Sequence, residues 1–362
     1  MSASFEIHSS SKNYQVEVLT NLLKEKRYRP DQSFVLVDQL VLDLYPYLNA
    51  QNLIAITSVE ESKSLETVAF VIEQLRAKGA NRNSHLIAVG GGIIQDIATF
   101  SASVFMRGIS WTYYPTTLLA MVDSCVGGKS SINVGKYKNI AGNFYPPENI
   151  LIETDFCNTL AHAEMIAGLS EAVKICFANQ GAAFHEYLRL TETDGLVTKE
   201  KLSQVISLSL LTKKNFIEED EFDQGIRLLL NFGHTFGHAI EAAGHFSITH
   251  GVAVGVGMQM ALHISTQLES SGCSHPRVQM LSHYLSVLLR GVPSLGKHLS
   301  AISGQLLFDK FQSDKKHTTD KYVIIVPDRN GYLERIYINK DDDFEKIFFN
   351  SFEKIKGLYE VQ

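Results

Sequence analysis

Residues 85–92 read His85-Leu86-Ile87-Ala88-Val89-Gly90-Gly91-Gly92, and residues 93–105 continue with helical spacing of apolar side chains. A short aliphatic run, a glycine turn and an apolar-periodic segment predict a strand, a tight turn and a helix. Glycines at this point suit phosphate binding, because no Cβ blocks the approach and the N–H groups of the helix N-terminus point outward. The stretch is not GxGxxG, so a tight turn without any ligand is the alternative.

The same alternation of strands and helices extends on both sides of this unit. Strands are predicted at residues 33–38, 52–57 and 109–114, and helices at residues 39–45 and 65–78. Strands that alternate with helices indicate a parallel, doubly wound sheet. Asp38 closes the first of these strands, where a carboxylate can accept hydrogen bonds from ribose hydroxyls.

The pattern changes near residue 153, without a spacer of low complexity. Helices are predicted at residues 163–177, 199–217, 226–243, 252–268 and 278–289, followed by a hairpin of strands at 322–326 and 333–338. We therefore predict an α/β domain over residues 1–153 and a mainly helical domain over residues 154–362.

Composition and charge limit the partners and the cellular location that we expect for this protein. The 362 residues carry a formal net charge of −6 and no basic tract, which argues against nucleic acid as a partner. The longest weakly apolar run, residues 251–264, is too short and too interrupted to span a bilayer, so no membrane partner is expected. Four scattered cysteines, none in a CxxC motif, and a polar N-terminus predict free thiols and a cytoplasmic location. The cysteines are Cys125, Cys157, Cys176 and Cys273.

A long polar segment at residues 123–147 carries several cations among glycines. Lys129 follows Gly127-Gly128, and Lys136 and Lys138-Asn139 come soon after. Close backbone turns that bear lysine and asparagine favour recognition of a phosphate or carboxylate. An ordinary solvated surface is the alternative.

The second domain contains two histidines one helical turn apart, His234 and His238, within residues 231–241. On one helical face they suit two metal ligands, or one ligand beside an acid/base, while a packed core pair is the alternative. Glu171 lies one turn from Lys174 in an otherwise apolar helix and could supply a carboxylate, unless the two form an exposed surface pair. His250, at the start of another predicted helix, could complete a catalytic zinc set of one glutamate and two histidines.

Taken together, these motifs resemble the 3-dehydroquinate synthase family of sugar-phosphate cyclases, in order and over most of the chain. The matching segments are residues 90–96, 106–108, 115–120, 122–129, 138–139, 171–174, 227–241, 250–251 and 314–316. The resemblance implies a Rossmann-like parallel-sheet domain followed by a mostly α-helical metal-binding domain.

The resemblance also implies the cofactors and their sites. Zinc, or another divalent metal such as cobalt, would be held by Glu171, His234 and His250, whereas His238 matches a histidine on the substrate side. NAD would contact Asp38, Glu60, Lys63, Gly92, Ile93, Ile94, Gln95, Asp96, Thr116, Thr117, Lys129, Lys138, Phe156, Cys157, Asn158 and Thr159. Asp123 matches a residue close to the nicotinamide and the substrate. The anionic sugar-phosphate substrate would be surrounded by Lys129, Lys138, Asn139, Lys174, Lys213, Arg227, His238 and Lys315. Arg107 matches an arginine that reaches the partner's phosphate site in a homodimer.

The implied activity is a carbon–oxygen lyase that cyclises 3-deoxy-D-arabino-heptulosonate 7-phosphate to 3-dehydroquinate with loss of phosphate. Three stretches depart from the usual family pattern: Gln95, residues 132–137 and residues 327–331. Sister cyclases that use sedoheptulose 7-phosphate or glucose 6-phosphate therefore stay open, although Arg227 and Lys315 favour a carboxylated substrate. A metal-dependent polyol dehydrogenase and a non-catalytic binding protein are two further hypotheses for the same chain.

Overall fold

The computed structural model describes residues 3–19, 33–135, 137–191, 197–268 and 275–360, so Lys136 and Cys273 lie outside the described residues. The chain forms two compact units, one of Met1–Leu160 with Leu202–Glu221 and the other of Ala161–Lys201 with Phe222–Gln362. The predicted division after residue 153 differs from this arrangement in two respects, because residues 154–160 belong to the first unit and residues 202–221 return to it. Side-chain bonds hold the returning segment there, since Ser209 Oγ donates to the Val122 carbonyl at 2.9 Å.

Strands of the described chain are β1 Ala3–Ile7, β2 Tyr14–Leu19, β3 Ser33–Asp38, β4 Leu53–Ile56, β5 His85–Gly90, β6 Ser110–Pro115, β7 Ile132–Val134, β8 Tyr137–Ala141, β9 Asn149–Glu153, β10 Lys321–Pro327 and β11 Leu333–Asn339. The main sheet of the first unit has the order β1-β2-β9-β6-β5-β3-β4. All its neighbours pair in parallel except β1 and β2. The predicted parallel α/β sheet is therefore confirmed. Strand β5 lies inside the sheet between β6 and β3 and is buried along its whole length.

Helices of the described chain are α1 Gln39–Leu44, α2 Leu65–Ala77, α3 Gly92–Val104, α4 His162–Ala178, α5 Ala183–Thr191, α6 Lys199–Glu219, α7 His234–Ala243, α8 His250–Gln267, α9 Pro276–Arg290, α10 Leu295–Ser300, α11 Gly304–Gln312 and α12 Asp342–Gly357. Local sequence explains their starts. For example, Ser64 Oγ accepts a hydrogen bond from the Thr67 N–H and caps α2, as serine does at helix N-termini. None of these helices is both long enough and apolar enough to cross a membrane.

One predicted helix of the second unit is wrong. Residues 226–243 do not form a single helix, because a 3₁₀ segment at Ile226–Asn231 ends before Gly233 and α7 begins only at His234. Gly233 has φ of +79°, in the left-handed region that favours glycine, and this residue interrupts the helical path. The mostly helical character of the unit is confirmed, and the predicted hairpin is formed by β10 and β11.

A buried arginine ties two parts of the second unit together. Arg277 in α9 donates to the carbonyls of Phe177 and Asn179 at the end of α4, at 2.6 and 2.7 Å. It also donates to the Gly331 carbonyl in the turn between β10 and β11, at 2.7 Å. Its guanidinium lies 4.2 Å from the centre of the Phe177 ring, where a cation–π contact adds stability.

Candidate functional site

The carboxyl ends of β3, β5 and β6 lie side by side in the first unit. Gly90 pairs with Pro115, and the Thr116 N–H donates to the Gly90 carbonyl at 3.0 Å. The chain passes from β3 outward to β4 and then returns to the other side of β3 as β5, which makes this edge a topological switch point. Open parallel sheets bind their ligands at such a point.

The glycine turn and α3 stand at this edge. A Cβ on Gly91, the residue before α3, would lie 3.1 Å from Thr117 Cγ2, so glycine fits the close approach of the two segments. The Gln95 N–H already donates to the Gly91 carbonyl at 3.1 Å. Helix geometry leaves the preceding N–H groups, at residues 92–94, without intrahelical acceptors, and they suit a phosphate.

Two residues predicted to contact NAD bind each other. Lys63 Nζ lies 2.9 Å from an Asp96 carboxylate oxygen, and the Ser131 N–H donates to the other oxygen at 2.9 Å. Burial raises the pKa of Asp96 to about 6, although the charge and hydrogen bond of Lys63 act in the opposite direction. This pair fixes the start of α3 against the segment that leads into β7.

The short hairpin of β7 and β8 is joined to the same region by Asn133, a residue for which no sequence motif gave a signal. Asn133 Nδ2 donates to a Glu60 carboxylate oxygen at 2.9 Å, and Asn133 Oδ1 accepts from the Asn139 N–H at 2.9 Å. Lys138 Nζ lies 3.5 Å from the same Glu60 oxygen. Predicted NAD-binding and substrate-binding residues are therefore linked through Asn133.

Seven other residues predicted to contact NAD lie at the end of β3 or in the segments that follow β6 and β9. Asp38 caps α1 by accepting from the Leu40 N–H, so its carboxylate has a structural role as well. Thr116 is buried, and Thr117 Oγ1 accepts from the Ala120 N–H at 3.3 Å. The remaining four residues, Phe156, Cys157, Asn158 and Thr159, lie in the 3₁₀ segment that follows β9.

Asp123 lies in a π-helical turn, Ala120–Ser124, and is paired with a lysine of α6. Lys213 Nζ contacts the Asp123 carboxylate and also donates to the Asp123 carbonyl at 2.6 Å. Lys129 Nζ lies 5.8 Å from the centre of the Phe144 ring. Arg107, in contrast, is exposed at the surface of the unit and has φ of +68°.

The second unit brings the predicted metal ligands together from three helices. Glu171 Oε1 lies 3.8 Å from His234 Nε2 and 3.5 Å from His250 Nε2. His238 is also close, because one ligand nitrogen from each of the three histidines lies within 4.8 Å of the others. Glu171 is buried, so the alternative of an exposed surface pair with Lys174 is wrong.

Close helix packing creates this cluster. A Cβ on Gly257 of α8 would lie 2.2 Å from the Gly233 carbonyl oxygen before α7, which only glycine avoids. Likewise, a Cβ on Gly251 would lie 2.2 Å from the Ala167 carbonyl oxygen of α4. The glycines let α8 approach both neighbouring helices at backbone distance, and His250 consequently reaches His234 and Glu171.

Two of the three histidines are neutral near pH 7, as metal binding requires. Desolvation by the surrounding protein lowers the pKa of His238 to about 4 although its side chain has an exposed face, with the charge of Lys316 acting in the same direction, and burial lowers the pKa of His234 well below its ordinary value. His250 behaves differently, because the hydrogen bond and charge of Glu241 outweigh burial and raise its pKa. His250 Nδ1 lies 2.9 Å from a Glu241 oxygen; a carboxylate accepts, so Nδ1 carries the proton and Nε2 faces Glu171.

Several cations lie near the predicted metal ligands in the sequence, and two of them are buried. Lys174, 2% exposed, pairs with Glu171, and Arg227 is buried at 4% exposure. Lys315, which the family resemblance places near the substrate, is exposed, whereas the neighbouring Lys316 is partly buried and its charge acts on His234 and His238. The sequence offered no signal to separate these adjacent lysines. Glu241 did have a signal, because it follows His234 at i+7 and His238 at i+3 on one helical face.

Glu171, His234 and His250 fit a divalent metal ion. Two ligands about 2.1 Å from a tetrahedral ion are separated by about 3.4 Å, and the Glu171 oxygen lies 3.5 and 3.8 Å from the two imidazole nitrogens. The set of three histidines, whose ligand nitrogens all lie within 4.8 Å of one another, is the alternative. The contact between His250 and Glu241 adds the carboxylate that metal-binding histidines usually have behind them.

Comparisons with known proteins cover nearly the whole chain. A 3-dehydroquinate synthase from Streptococcus pyogenes serotype M6 is 35% identical over 358 residues, which cover 94% of this chain and 97% of that protein. A crystal structure of 2-deoxy-scyllo-inosose synthase complexed with carbaglucose-6-phosphate, NAD+ and Co2+ matches with a TM-score of 0.81 and 25% identity, over 97% of this chain and 99% of that chain. A 2-epi-5-epi-valiolone synthase from Streptomyces hygroscopicus with NAD+ and Zn2+ bound has the same fold, with a TM-score of 0.77 and 22% identity over 96% and 99% of the two chains.

Family models give the same result for each part of the chain. The model described as 3-dehydroquinate synthase N-terminal matches residues 53–167, and the one described as 3-dehydroquinate synthase C-terminal matches residues 168–317. These matches meet without a gap and contain the glycine turn, the basic segment and the histidine cluster. The chain therefore belongs to the 3-dehydroquinate synthase family.

Proposed function

We propose that this chain is an NAD- and metal-dependent lyase that converts 3-deoxy-D-arabino-heptulosonate 7-phosphate to 3-dehydroquinate with release of phosphate. The observation that carries the proposal is the cluster formed by the buried Glu171 and Lys174 with the partly buried His234 and His250. Burying charged groups costs several kcal/mol each. We infer that this fold retains the cluster because its charged groups bind a ligand.

NAD would supply an acceptor and donor of hydride, and Glu171, His234 and His250 would hold a divalent ion whose charge would polarise a substrate oxygen. Oxidation of a carbinol acidifies the neighbouring C–H, so that phosphate can leave by elimination. After reduction and ring opening, an intramolecular aldol reaction closes the carbocycle. The protein contributes mainly orientation and electrostatic stabilisation to this sequence.

The side chains of each unit have distinct proposed roles. In the first unit, the N–H groups of residues 92–94 bind the NAD pyrophosphate, and Lys129, Lys138 and Asn139 bind substrate phosphate. In the second unit, His238 is neutral at pH 7 because its pKa is about 4, and it can accept a hydrogen bond or a proton from the substrate. Arg227 suits a substrate carboxylate because its planar guanidinium binds two oxygens at once. Lys316 joins Lys315 as a candidate for the same anion.

A homodimer and a cytoplasmic location are part of this proposal. The turn at Met106 and Arg107 supports the dimer, because two consecutive residues with φ of 52° and 68° are strained and present an exposed arginine. Such strain is typical of functional positions. Cys125 and Cys157 support a reducing compartment, since both are buried free thiols whose pKa burial raises to about 12.

Phosphate release tests the proposed reaction. Purified protein with NAD and zinc is given 3-deoxy-D-arabino-heptulosonate 7-phosphate, sedoheptulose 7-phosphate or glucose 6-phosphate, while phosphate and NADH are measured together. We expect turnover of the first substrate only, with phosphate released and no net NADH. Stoichiometric NADH from a polyol without phosphate release would instead identify a dehydrogenase.

Arg227→Ala tests the choice of substrate. The variant should weaken use of the carboxylated substrate selectively. An equal loss with sedoheptulose 7-phosphate would rule out the role of Arg227 in carboxylate binding.

A further inference from the structure

The π-helical turn at Ala120–Ser124 is held by side chains from other elements. Its wider winding is visible in the hydrogen bond from the Cys125 N–H to the Ala120 carbonyl, five residues back. Three carbonyls of the turn each accept from a side chain. Ser209 Oγ donates to Val122 at 2.9 Å, Lys213 Nζ to Asp123 at 2.6 Å and Gln95 Nε2 to Ser124 at 2.7 Å.

Gln95 makes a second bond to the same residue. Ser124 Oγ donates to Gln95 Oε1 at 2.8 Å, so both polar atoms of the amide are used in one contact. Gln95 is only 4% exposed and lies in the first turn of α3. Ser124 Oγ in turn lies 3.8 Å from the point where a Cβ on Gly92 would be. The amide thus joins the glycine turn to the turn that carries Asp123.

We propose that Gln95 is a positioning residue, which acts through Ser124 to hold the Asp123 turn against the glycine turn. The inference rests on the proposed function, in which the glycine turn binds NAD, and on the family resemblance, which implies that Asp123 lies close to the nicotinamide and substrate. Both polar atoms of the buried Gln95 amide bond to Ser124. The Gln95 side chain therefore serves the turn instead of touching NAD.

Physical reasons connect this contact to turnover. Asp123 and its partner Lys213 form a buried pair whose geometry depends on the path of the turn. Displacement of a reacting group by about 1 Å can cost about 100-fold in rate. NAD itself is held by backbone N–H groups that Gln95→Met leaves in place, so cofactor affinity and turnover should separate.

The test compares Gln95→Met with a matched control. Methionine keeps the length and burial of the side chain but removes both hydrogen bonds. Gln259→Met is the control, because Gln259 is also a buried glutamine, 2% exposed, that bonds Ser286 Oγ and the Tyr359 hydroxyl within the second unit. Ser124→Ala removes one of the two hydrogen bonds, and it replaces Gln95→Met in the test if Gln95→Met fails to fold.

We expect kcat of Gln95→Met to fall about 10- to 100-fold while the Kd for NAD, measured by calorimetry, changes less than about threefold. The kcat of Ser124→Ala should fall less, and the kcat of the double variant should fall no further than that of Gln95→Met alone. A kcat no lower than that of Gln259→Met, or a loss that parallels NAD affinity or Tm, would overturn the assignment.

Hydrogen–deuterium exchange of residues 120–126 separates this inference from the proposed reaction. We expect about tenfold faster exchange there in Gln95→Met and wild-type exchange in Gln259→Met. Unchanged exchange in Gln95→Met would refute the positioning role even in an active enzyme. If wild-type protein released no phosphate from any of the three sugar phosphates, the proposed function would fail, while exchange would still decide what Gln95 holds.

Discussion

At the scale of single residues, His234 and His238 show how far the sequence can be interpreted. Their spacing predicted one helical face, and the structure places both on α7 with ring centres 5.4 Å apart. Spacing could not predict that Lys316 rather than Lys315 acts on them, because the two lysines differ only in the direction of their side chains. Nor could it predict the contact of Gln95 with Ser124, which depends on how residues 29 positions apart meet in the fold.

Metal content distinguishes the two possible ligand sets. We expect His234→Ala and Glu171→Gln to lose bound zinc and activity, and His238→Ala to lose activity but retain about one zinc per chain. The measurement is elemental analysis by mass spectrometry after dialysis, with circular dichroism to confirm folding. Zinc lost from His238→Ala and kept in Glu171→Gln would instead assign the metal to the three histidines.

Asp96 predicts a dependence of stability on pH. Burial raises its pKa to about 6, above about 3.9 in the unfolded chain, so protonation favours the folded state. This contribution is fully present below about pH 3.9 and is lost as the pH rises through about 6. Relative to Asp96→Asn, the free energy of unfolding of the wild type should fall by about 1.4 kcal/mol between about pH 5 and pH 7.5.

Urea denaturation of the two proteins at both pH values provides that comparison, because the other titrating groups cancel in the difference. A difference that does not change with pH would show that Asp96 titrates in its ordinary range.

At the scale of elements, regular periodicity was easier to interpret than its interruptions. Helices α2, α4 and α8 begin within two residues of the predicted positions because their apolar residues recur with helical spacing. The predicted helix over residues 226–243 failed at Gly233, since a left-handed glycine that packs against α8 cannot be distinguished in sequence from a tolerated one. The π-helical turn at residues 120–124 is likewise fixed by side chains of distant elements.

Close packing of α7 and α8 predicts a large cost for one added methyl group. Gly257→Ala should destabilise the protein by about 3 kcal/mol, because its Cβ would overlap the Gly233 carbonyl oxygen. Gly357→Ala, at the end of α12, is the control: its Cβ meets nothing within 4 Å, and the substitution should stabilise by about 0.5–1 kcal/mol. Urea denaturation midpoints measure both effects. Equal midpoints for the two variants would contradict the packing argument.

At the scale of the whole molecule, the order of the two domains was predictable and their composition was not. The change of pattern near residue 153 marks the end of the α/β alternation, close to the observed boundary at Leu160. The return of Leu202–Glu221 to the first unit could not be inferred, because a helical pattern does not identify the element against which the helix packs. Its partners in the fold, which include Val122 and Asp123, show where it belongs.

Mixing two inactive variants tests the proposed homodimer. If Arg107 serves the partner's site, Arg107→Ala and His234→Ala are each inactive, but a mixed dimer contains one site with every required residue. Random exchange makes about half of the dimers mixed, so about a quarter of wild-type activity should return. Activity that stays at the level of the separate variants after verified subunit exchange would place Arg107 in its own chain's site.

Arg277 has a consequence for the lifetime of the folded chain. Its hydrogen bonds join residues 54 to 100 positions apart, so they form only when α4, α9 and the hairpin are already assembled. Contacts that form after the transition state slow unfolding and leave the folding rate nearly unchanged. Stopped-flow measurements on Arg277→Met should therefore show unfolding about 10- to 100-fold faster with similar refolding. The Arg277 guanidinium therefore sets the unfolding rate of the protein rather than its folding rate.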